Sequence, residues 1–323
     1  MAWFLCNIGG TGGLTLTVTC DSSFAGLTIT CTDGDTTLTK TCPSQSPYAV
    51  EFMLPNGGTW TISGQGASTT INVIDSTELH VIPSGSSATP VNDIQTWLHC
   101  GNIWDKNYTT ISEVLADATT LLALISSNNA ADYMARSTTW ASNVTANSTA
   151  MTYIGANNYC ANKLLANSTW LSAICNSTYI ESVLNVKVPT MTSNTTPSGQ
   201  VLYSSQAANS AFRVFDGDNA TSWQPQTGND GYIGYMFTNP CVVKCIAYTP
   251  ASNDVNRSLL GIFEGSNDGS TYTTIQNFNN QKPTESVKLV LSNNTSYKYY
   301  RLNVKRSTAY DTSIPTLQFY GRA

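Results

Sequence analysis

The sequence predicts a multidomain chain: a small antiparallel β-sandwich over residues 1–83, a linker at 84–92, an α-helical repeat stalk over 93–188 and a β-sandwich over 189–323. Three observations predict it. Apolar and hydroxyl residues alternate in Leu14-Thr-Leu-Thr-Val-Thr19 and Leu27-Thr-Ile-Thr30, a period of two that makes one strand face dry and the other wet. An Asn/Ser/Thr cluster recurs about every ten residues from Ser137 onward. After Ala207, three aromatic-rich passages are separated by Asp/Gly/Asn turns, as in a sandwich of strands.

Composition narrows the function before any motif does. Only 11% of residues are charged, against roughly 25% in ordinary soluble proteins. Thr, Ser and Asn fill the gap, so polarity comes from groups that hydrogen-bond without ionising. A net charge of −5 argues against nucleic acid as a partner, because binding by counterion release needs a basic stripe. A membrane partner is not expected either, since no apolar run approaches the roughly 18–20 residues of a span. Met1-Ala-Trp-Phe-Leu-Cys6 lacks the basic start and the apolar length of a secretory leader.

There are nine cysteines, an odd number. Without an export leader they read as reduced thiols that behave as small buried hydrophobes. Cys20, Cys31 and Cys42 recur every eleven residues at the ends of Thr-rich strands, as repeated strand design, with a disulfide pair or a metal site as the alternatives. Cys241 and Cys245 have the wrong spacing for a zinc knuckle, and His80 and His99 complete no zinc pattern.

In the first block, Asp33-Gly34 and Asn56-Gly57-Gly58 are turn signals, and Trp60 and Ile62 alternate inward after them. Ile71, Val73 and His80-Val-Ile82 supply the last strands. The pattern resembles the Ig-like or carboxypeptidase-regulatory-like modules of phage tail and capsid proteins. Pro83-Ser-Gly-Ser-Ser-Ala-Thr-Pro90 is linker-like.

The middle block opens with a short helix around Ile94, Trp97 and Leu98, broken near Gly101. Thr110-Ile-Ser-Glu113 is a capping box, after which Ile111, Val114, Leu115, Ala118, Leu121, Leu122 and Ile125 line one helical face. Clusters then begin at Ser137, Asn147, Asn157, Asn167 and Asn176, at intervals of ten, ten, ten and nine, each followed seven positions later by Val144, Ile154, Leu164, Ile174 or Val183. Ten residues over three turns is tighter winding than the 3.6 residues per turn of an α-helix. Each cluster is therefore read as the cap of a new short helix. Helices this short need neighbours, supplied either by a trimeric stalk (a homotrimer) or by a self-contained array within one chain.

The third block carries Ala211-Phe-Arg-Val-Phe-Asp-Gly-Asp218 leading to Trp223, then Phe263-Glu-Gly-Ser-Asn-Asp-Gly269 running on to Tyr272, then Tyr299-Tyr-Arg-Leu-Asn-Val304 before Leu317-Gln-Phe-Tyr-Gly321. This order resembles the discoidin, or coagulation factor 5/8 type C, family. The resemblance implies an eight-stranded jelly roll whose loops at one end bind sugars, lipid headgroups or proteins. It also implies that the loop Asp216–Trp223 wraps a structural Ca²⁺, with Asp218 and Thr221 the ligand positions that carry over best. The family's closing Glu is replaced by Thr316, so a metal-free hydrogen-bonded loop is the competing reading. Trp223 is expected to pack beneath the loop and Arg213 to support the jelly roll. Asn253, Asn256, Arg257 and Tyr310 are the loop residues suited to a ligand: Asn and Arg make the paired hydrogen bonds that sugar hydroxyls need, and Tyr offers an apolar platform with a polar edge.

An enzyme is not expected. The few carboxylates form no facing pair, and neither a Gly-x-Ser-x-Gly elbow nor a phosphate-binding Gly-Lys-Ser/Thr loop occurs. Taken together, the blocks resemble tail or surface-fibre proteins of phages and prophages of gut Firmicutes. That resemblance implies a non-enzymatic virion protein, made in a bacterial cytoplasm, with the first domain attached to other virion proteins and the last binding host-surface or mucosal glycan. The alternative is a capsid-decorating or baseplate component that binds no sugar. A bacterial cell-surface lectin would need export and wall-anchoring signals.

Overall fold

The structure, a computed structural model, describes residues 3–9, 14–20, 22–46, 48–54, 58–64, 67–73, 79–83, 94–101, 103, 106, 108–207, 209–226, 230–249, 259–281, 286–304 and 313–323. β-sheet, short helices and β-sheet follow one another along the chain, and contacts gather them into two compact units. The first comprises Met1–Asn143 with Asn157–Asn167, the second Val144–Ala156 with Ser168–Ala323.

The first unit begins with eight strands: β1 (Trp3–Gly9), β2 (Leu14–Cys20), β3 (Thr28–Thr32), β4 (Thr37–Thr41), β5 (Ala49–Leu54), β6 (Gly58–Gly64), β7 (Ala67–Val73) and β8 (Leu79–Pro83). They form two antiparallel sheets, ordered β5-β2-β1-β8 and β4-β3-β6-β7. Both sheets contribute to one core, where Leu16, Val18, Ile29, Cys31, Phe52, Trp60 and Ile62 are buried. The period-two pattern is the cause: Ile29 and Cys31 point inward while the threonines between them do not. β1 is an addition to the strands read from the sequence, the first of which begins at Leu14. Asp33 makes the turn between β3 and β4, its Oδ1 accepting from the amides of Asp35 (3.0 Å) and Thr36 (2.6 Å), and Gly34 takes a φ of 101°.

The helices are α1 (Ile94–Cys100), α2 (Ile111–Ala116), α3 (Ala118–Ser126), α4 (Asn128–Arg136), α5 (Ala141–Thr145), α6 (Ser148–Ala156), α7 (Asn158–Ala166), α8 (Ser168–Asn176) and α9 (Ile180–Val183). The capping box is formed, with Thr110 Oγ1 accepting from Glu113 N and Glu113 Oε2 from Thr110 N. The single helical face drawn through 111–125 is not. Asp117 ends α2 and caps α3, its Oδ1 accepting from Thr119 N and Thr120 N, which turns Leu122 out to 46% exposure. The ten-residue period therefore starts at Asp117 and continues through the caps Ser127, Asn147 and Asn157. Its last step is also ten: Ser177 Oγ accepts from Tyr179 N, while Asn176 donates back to Ser172 O. Seven positions after each of these starts lies a fully buried side chain, from Leu124 and Met134 through Val144, Ile154, Leu164 and Ile174 to Leu184.

The burial needed by such short helices comes from the same chain. In the first unit α4 packs against both α1 and α7, and in the second α6 packs against α9. Each of these three pairs joins a helix to the third one along, about thirty residues away. Hydrogen bonds repeat the spacing: Ser127 Oγ donates to Cys100 O (3.2 Å) and Asn157 Nδ2 to Ile125 O (3.0 Å), while in the second unit Ser177 Oγ donates to Thr145 O. This stacking also explains why α7 belongs with the first unit and α6 with the second. The helices find neighbours within one chain, so their burial does not require a trimer.

The second unit adds β9 (Val186–Lys187), β10 (Gln200–Tyr203), β11 (Gly231–Thr249), β12 (Leu259–Ser266), β13 (Thr273–Gln281), β14 (Val287–Val290), β15 (Tyr297–Val304) and β16 (Thr316–Arg322). Their arrangement is a jelly-roll-like sandwich hinged on β11. The first half of β11 pairs with β10 and β15, and its second half with β14 and β16. The change of partner falls at Thr238-Asn239-Pro240, where the register shifts and proline has no amide to give a ladder. Tyr300 closes this bend from inside. Its hydroxyl donates to Cys241 O (2.6 Å) and accepts from Val243 N (3.2 Å), and burial pushes its pKa up to about 12. Trp223, Ile233, Phe263, Leu302 and Phe319 share the core around it. Arg322 serves the helices instead, donating to Val183 O (2.7 Å) and Gly155 O (2.9 Å) at the ends of α9 and α6.

Eight cysteines, Cys20, Cys31, Cys42, Cys100, Cys160, Cys175, Cys241 and Cys245, are buried. Burial raises the pKa of Cys31, with help from Asp33, and of Cys241, each to about 12. Among the described residues no helix is long and apolar enough to cross a membrane.

Candidate ligand-binding face

Strand register places the loops of the second unit. Gly231, at the start of β11, pairs with Val304 at the end of β15, and Val304 in turn with Gly261 near the start of β12. Thr249, at the end of β11, pairs with Thr316 at the start of β16. The stems of the segments 224–230, 250–258 and 305–312 therefore meet at one end of the sandwich. Asn253, Asn256, Arg257 and Tyr310 belong to these segments and lie outside the described residues.

The described part of this end is knitted by neutral hydrogen bonds. Ser204 Oγ accepts from Tyr232 N (3.0 Å), Ser205 Oγ from Gln226 N (2.9 Å), and Asn209 Nδ2 donates to Ser222 O (3.1 Å). Trp223 is fully buried beneath them, its indole N–H given to Ser205 O (2.9 Å), and its backbone bridges to Ile314. Trp223 thus supports the loops and does not face a ligand.

Asp218 and Thr221 sit in one turn built on Gly217, whose φ is 79°. Asp216 Oδ1 accepts from Asp218 N (2.8 Å) and Asp218 Oδ1 from Ala220 N (2.9 Å), while Thr221 Oγ1 lies 3.0 Å from Asp216 Oδ2. Arg213 Nη1 stands 3.7 Å from that same Asp216 oxygen. Thr316, where the family has its closing Glu, donates to Asn219 Oδ1 at 2.6 Å. Calcium takes six to eight oxygens, with several carboxylates among them. Here both Asp216 oxygens are engaged, a guanidinium is close by, and the closing charge is a hydroxyl. The donors fit a self-bonded turn and do not fit calcium. Among the described residues no group of three or more His, Cys, Asp or Glu side chains could hold a metal ion.

A second polar cluster went unnoticed in the sequence. β11, β15 and β12 bring Gly234, Arg301 and Glu264 into one row. Arg301 Nε donates to Glu264 Oε2 at 2.7 Å. The guanidinium carbon lies 3.6 Å from the Tyr272 ring centroid and 4.9 Å from that of Tyr232. Tyr232 lies on β11 beside β15, but Tyr272 precedes β13, two strands away from β15, so its reach over Arg301 is not a matter of sequence spacing. The turn before Tyr272 is set by Asp268, whose Oδ1 accepts from the amides of Ser270 and Thr271, both at 2.7 Å, and these bonds hold its carboxyl well below the usual carboxylate range.

Among solved structures, the CBM62 module of Clostridium thermocellum Xyl5A is similar at 26% identity, covering 39% of this chain and 95% of that one with a TM-score of 0.35. The family 32 module of Clostridium perfringens NanJ, in complex with galactose, is 14% identical over 38% of this chain and 93% of that one, with a TM-score of 0.34. A chitosan-binding module from a chitosanase/glucanase of Paenibacillus sp. IK-5 is 22% identical over 38% and 95%, with a TM-score of 0.33. No curated protein matches the chain. Residues 191–315 match the F5/8 type C domain family, and the C-terminal region is a domain of that discoidin-like type.

Proposed function

We propose that this protein is a non-catalytic binding protein that holds carbohydrate through the loop end of its F5/8 type C domain. The carrying observation is the strand register, which converges the stems of 224–230, 250–258 and 305–312 on one end of a rigid, hydrogen-bonded frame. Two further facts support a sugar. Several of the described loop bonds are made by Ser, Asn and Gln, the groups that match hydroxyl ligands, and the whole chain carries little charge. Asn253, Asn256, Arg257 and Tyr310 are the proposed contacts. Within this reading the chain is an adhesin of a phage virion, binding host-surface or mucosal glycan, with the N-terminal sheets as an Ig-like attachment module. The ten-residue repeats, similar to those of such fibres, support that part.

The test is binding of the full chain to an array of bacterial wall polysaccharides and mucin glycans, beside a variant with alanine at all four loop positions. Binding lost in the variant supports the proposal. Equal binding by both proteins, or silence across the array, removes it. Single sugar sites often sit near the millimolar range, about 4 kcal/mol, so the chain should be presented multivalently.

A further inference from the structure

We propose a second carbohydrate-binding patch on the outer face of the β13-β12-β15-β11-β10 sheet, centred on Arg301 and Glu264 and walled by Tyr232 and Tyr272. It would take the vicinal diol of a neutral sugar ring. Arg301 uses only Nε on Glu264. Its Nη1 and Nη2 make no hydrogen bond to the described residues, yet the side chain keeps 21% of its exposure. Among the described residues Glu264 engages only Oε2, and its side chain is 12% exposed. A guanidinium edge with N–H groups to give therefore lies beside a carboxylate oxygen free to accept. Adjacent hydroxyls of a pyranose present the complementary pair, since each hydroxyl both donates and accepts. The Tyr232 and Tyr272 hydroxyls likewise have no partner among the described residues, and their rings hold the guanidinium flat.

The geometry is fixed in advance, which lowers the entropic cost of binding. Gly234 lies directly under Arg301: a Cβ there would fall 2.7 Å from Arg301 Cα and 2.8 Å from its Cβ. The flat floor of the patch thus depends on glycine. A neutral ligand is favoured over an anionic one, because the guanidinium charge is already balanced by Glu264 at 2.7 Å. A sugar carboxylate would have to face Glu264.

The patch uses none of the four loop residues, so it can be tested apart from the loop proposal. The ¹⁵N-labelled full chain is titrated with galactose, glucose, N-acetylglucosamine and glucuronate, reading the Arg301 Nε–Hε signal. We expect a saturable shift with one or more neutral sugars, a response to glucuronate at least tenfold weaker, and persistence of the shift in the four-alanine loop variant. Tyr232→Ser, which leaves the Arg301–Glu264 pair in place, should weaken the response several-fold, with amide spectra reporting that the fold is kept. An Arg301 signal that moves with no sugar overturns the patch, as does a shift that disappears with the loop variant or a stronger response to glucuronate.

Discussion

Gly155→Ala sets two physical rules against each other. Gly155 lies in α6, and in a helix interior replacing glycine by alanine ordinarily stabilises by about 1 kcal/mol. Here, however, a Cβ would fall 1.7 Å from Ser182 O and 2.7 Å from its carbonyl carbon. Those are backbone atoms at the α9 end of the stack, so no side-chain rotation relieves the clash. The Gly155 carbonyl also receives Arg322 Nη2 at 2.9 Å, which ties it to β16. Overpacking in a well-packed interior costs roughly 1–3 kcal/mol, enough to outweigh the propensity gain and reverse its sign. In a chain of this size each kcal/mol moves the melting point by about 2–4 °C. The expected outcome is a lowered melting temperature for Gly155→Ala, followed by far-UV circular dichroism. Thr152→Ala, on the exposed side of the same helix, should leave it within about 0.5 kcal/mol of the parent. A Gly155→Ala protein that melts at or above the parent temperature would show that α6 and α9 do not stack.

Other expectations follow from single side chains. Asn157→Ala should destabilise by about 2–3 kcal/mol in chemical denaturation, losing both the Cys160 cap and the bond to Ile125 O. Asn157→Asp keeps the cap and should recover about half; full recovery would refute the link to α3. Tyr300→Phe strands Cys241 O and Val243 N at the β11 bend and should cost about 1–3 kcal/mol, with the smaller effect of an ordinary surface change counting against the bend as a stabilising feature. Calcium or a chelator should leave the melting temperature unchanged, and calorimetry should show no heat, because the Asp216–Thr221 turn satisfies itself. Asp268 is held below its ordinary range, so it stabilises the fold above about pH 4 and that contribution fades as pH falls. Asp268→Asn should flatten the acid limb of a stability–pH curve, and an unchanged limb would show that the turn bonds do not set the shift.

How much could be read from the sequence depended on the range of the forces involved. Local pattern was legible: Ile29 and Cys31 inward between threonines, Thr110 with Glu113 as a capping box, Asn147 and Asn157 as caps. Each is decided within four residues. Where the repeat began was not legible, because Asp117 breaks an apolar stripe that would otherwise make one good helix from 111 to 125. Only the bonds from Thr119 N and Thr120 N show that the cap wins over the stripe. The last interval was misread for a similar reason, as Asn176 and Ser177 are equally good capping residues and tertiary contact with Thr145 O selects the serine.

The two proposed binding faces depend on contacts far apart in the chain. The Asp216–Trp223 turn was visible as a motif, but whether it holds a cation turned on Thr316, about a hundred residues away, and on Arg213 standing near a shared oxygen. Arg301, Glu264 and Tyr272 are brought together by two strand registers and one turn, none of which leaves a spacing signature. What sequence does carry is the reason they matter. A chain with 11% charged residues has few guanidinium–carboxylate pairs to place, and this pair spends its surface on the outside of a sheet. Flanked by two aromatic rings, with donors and acceptors that no described residue takes, the pair is placed to meet the ligand we propose.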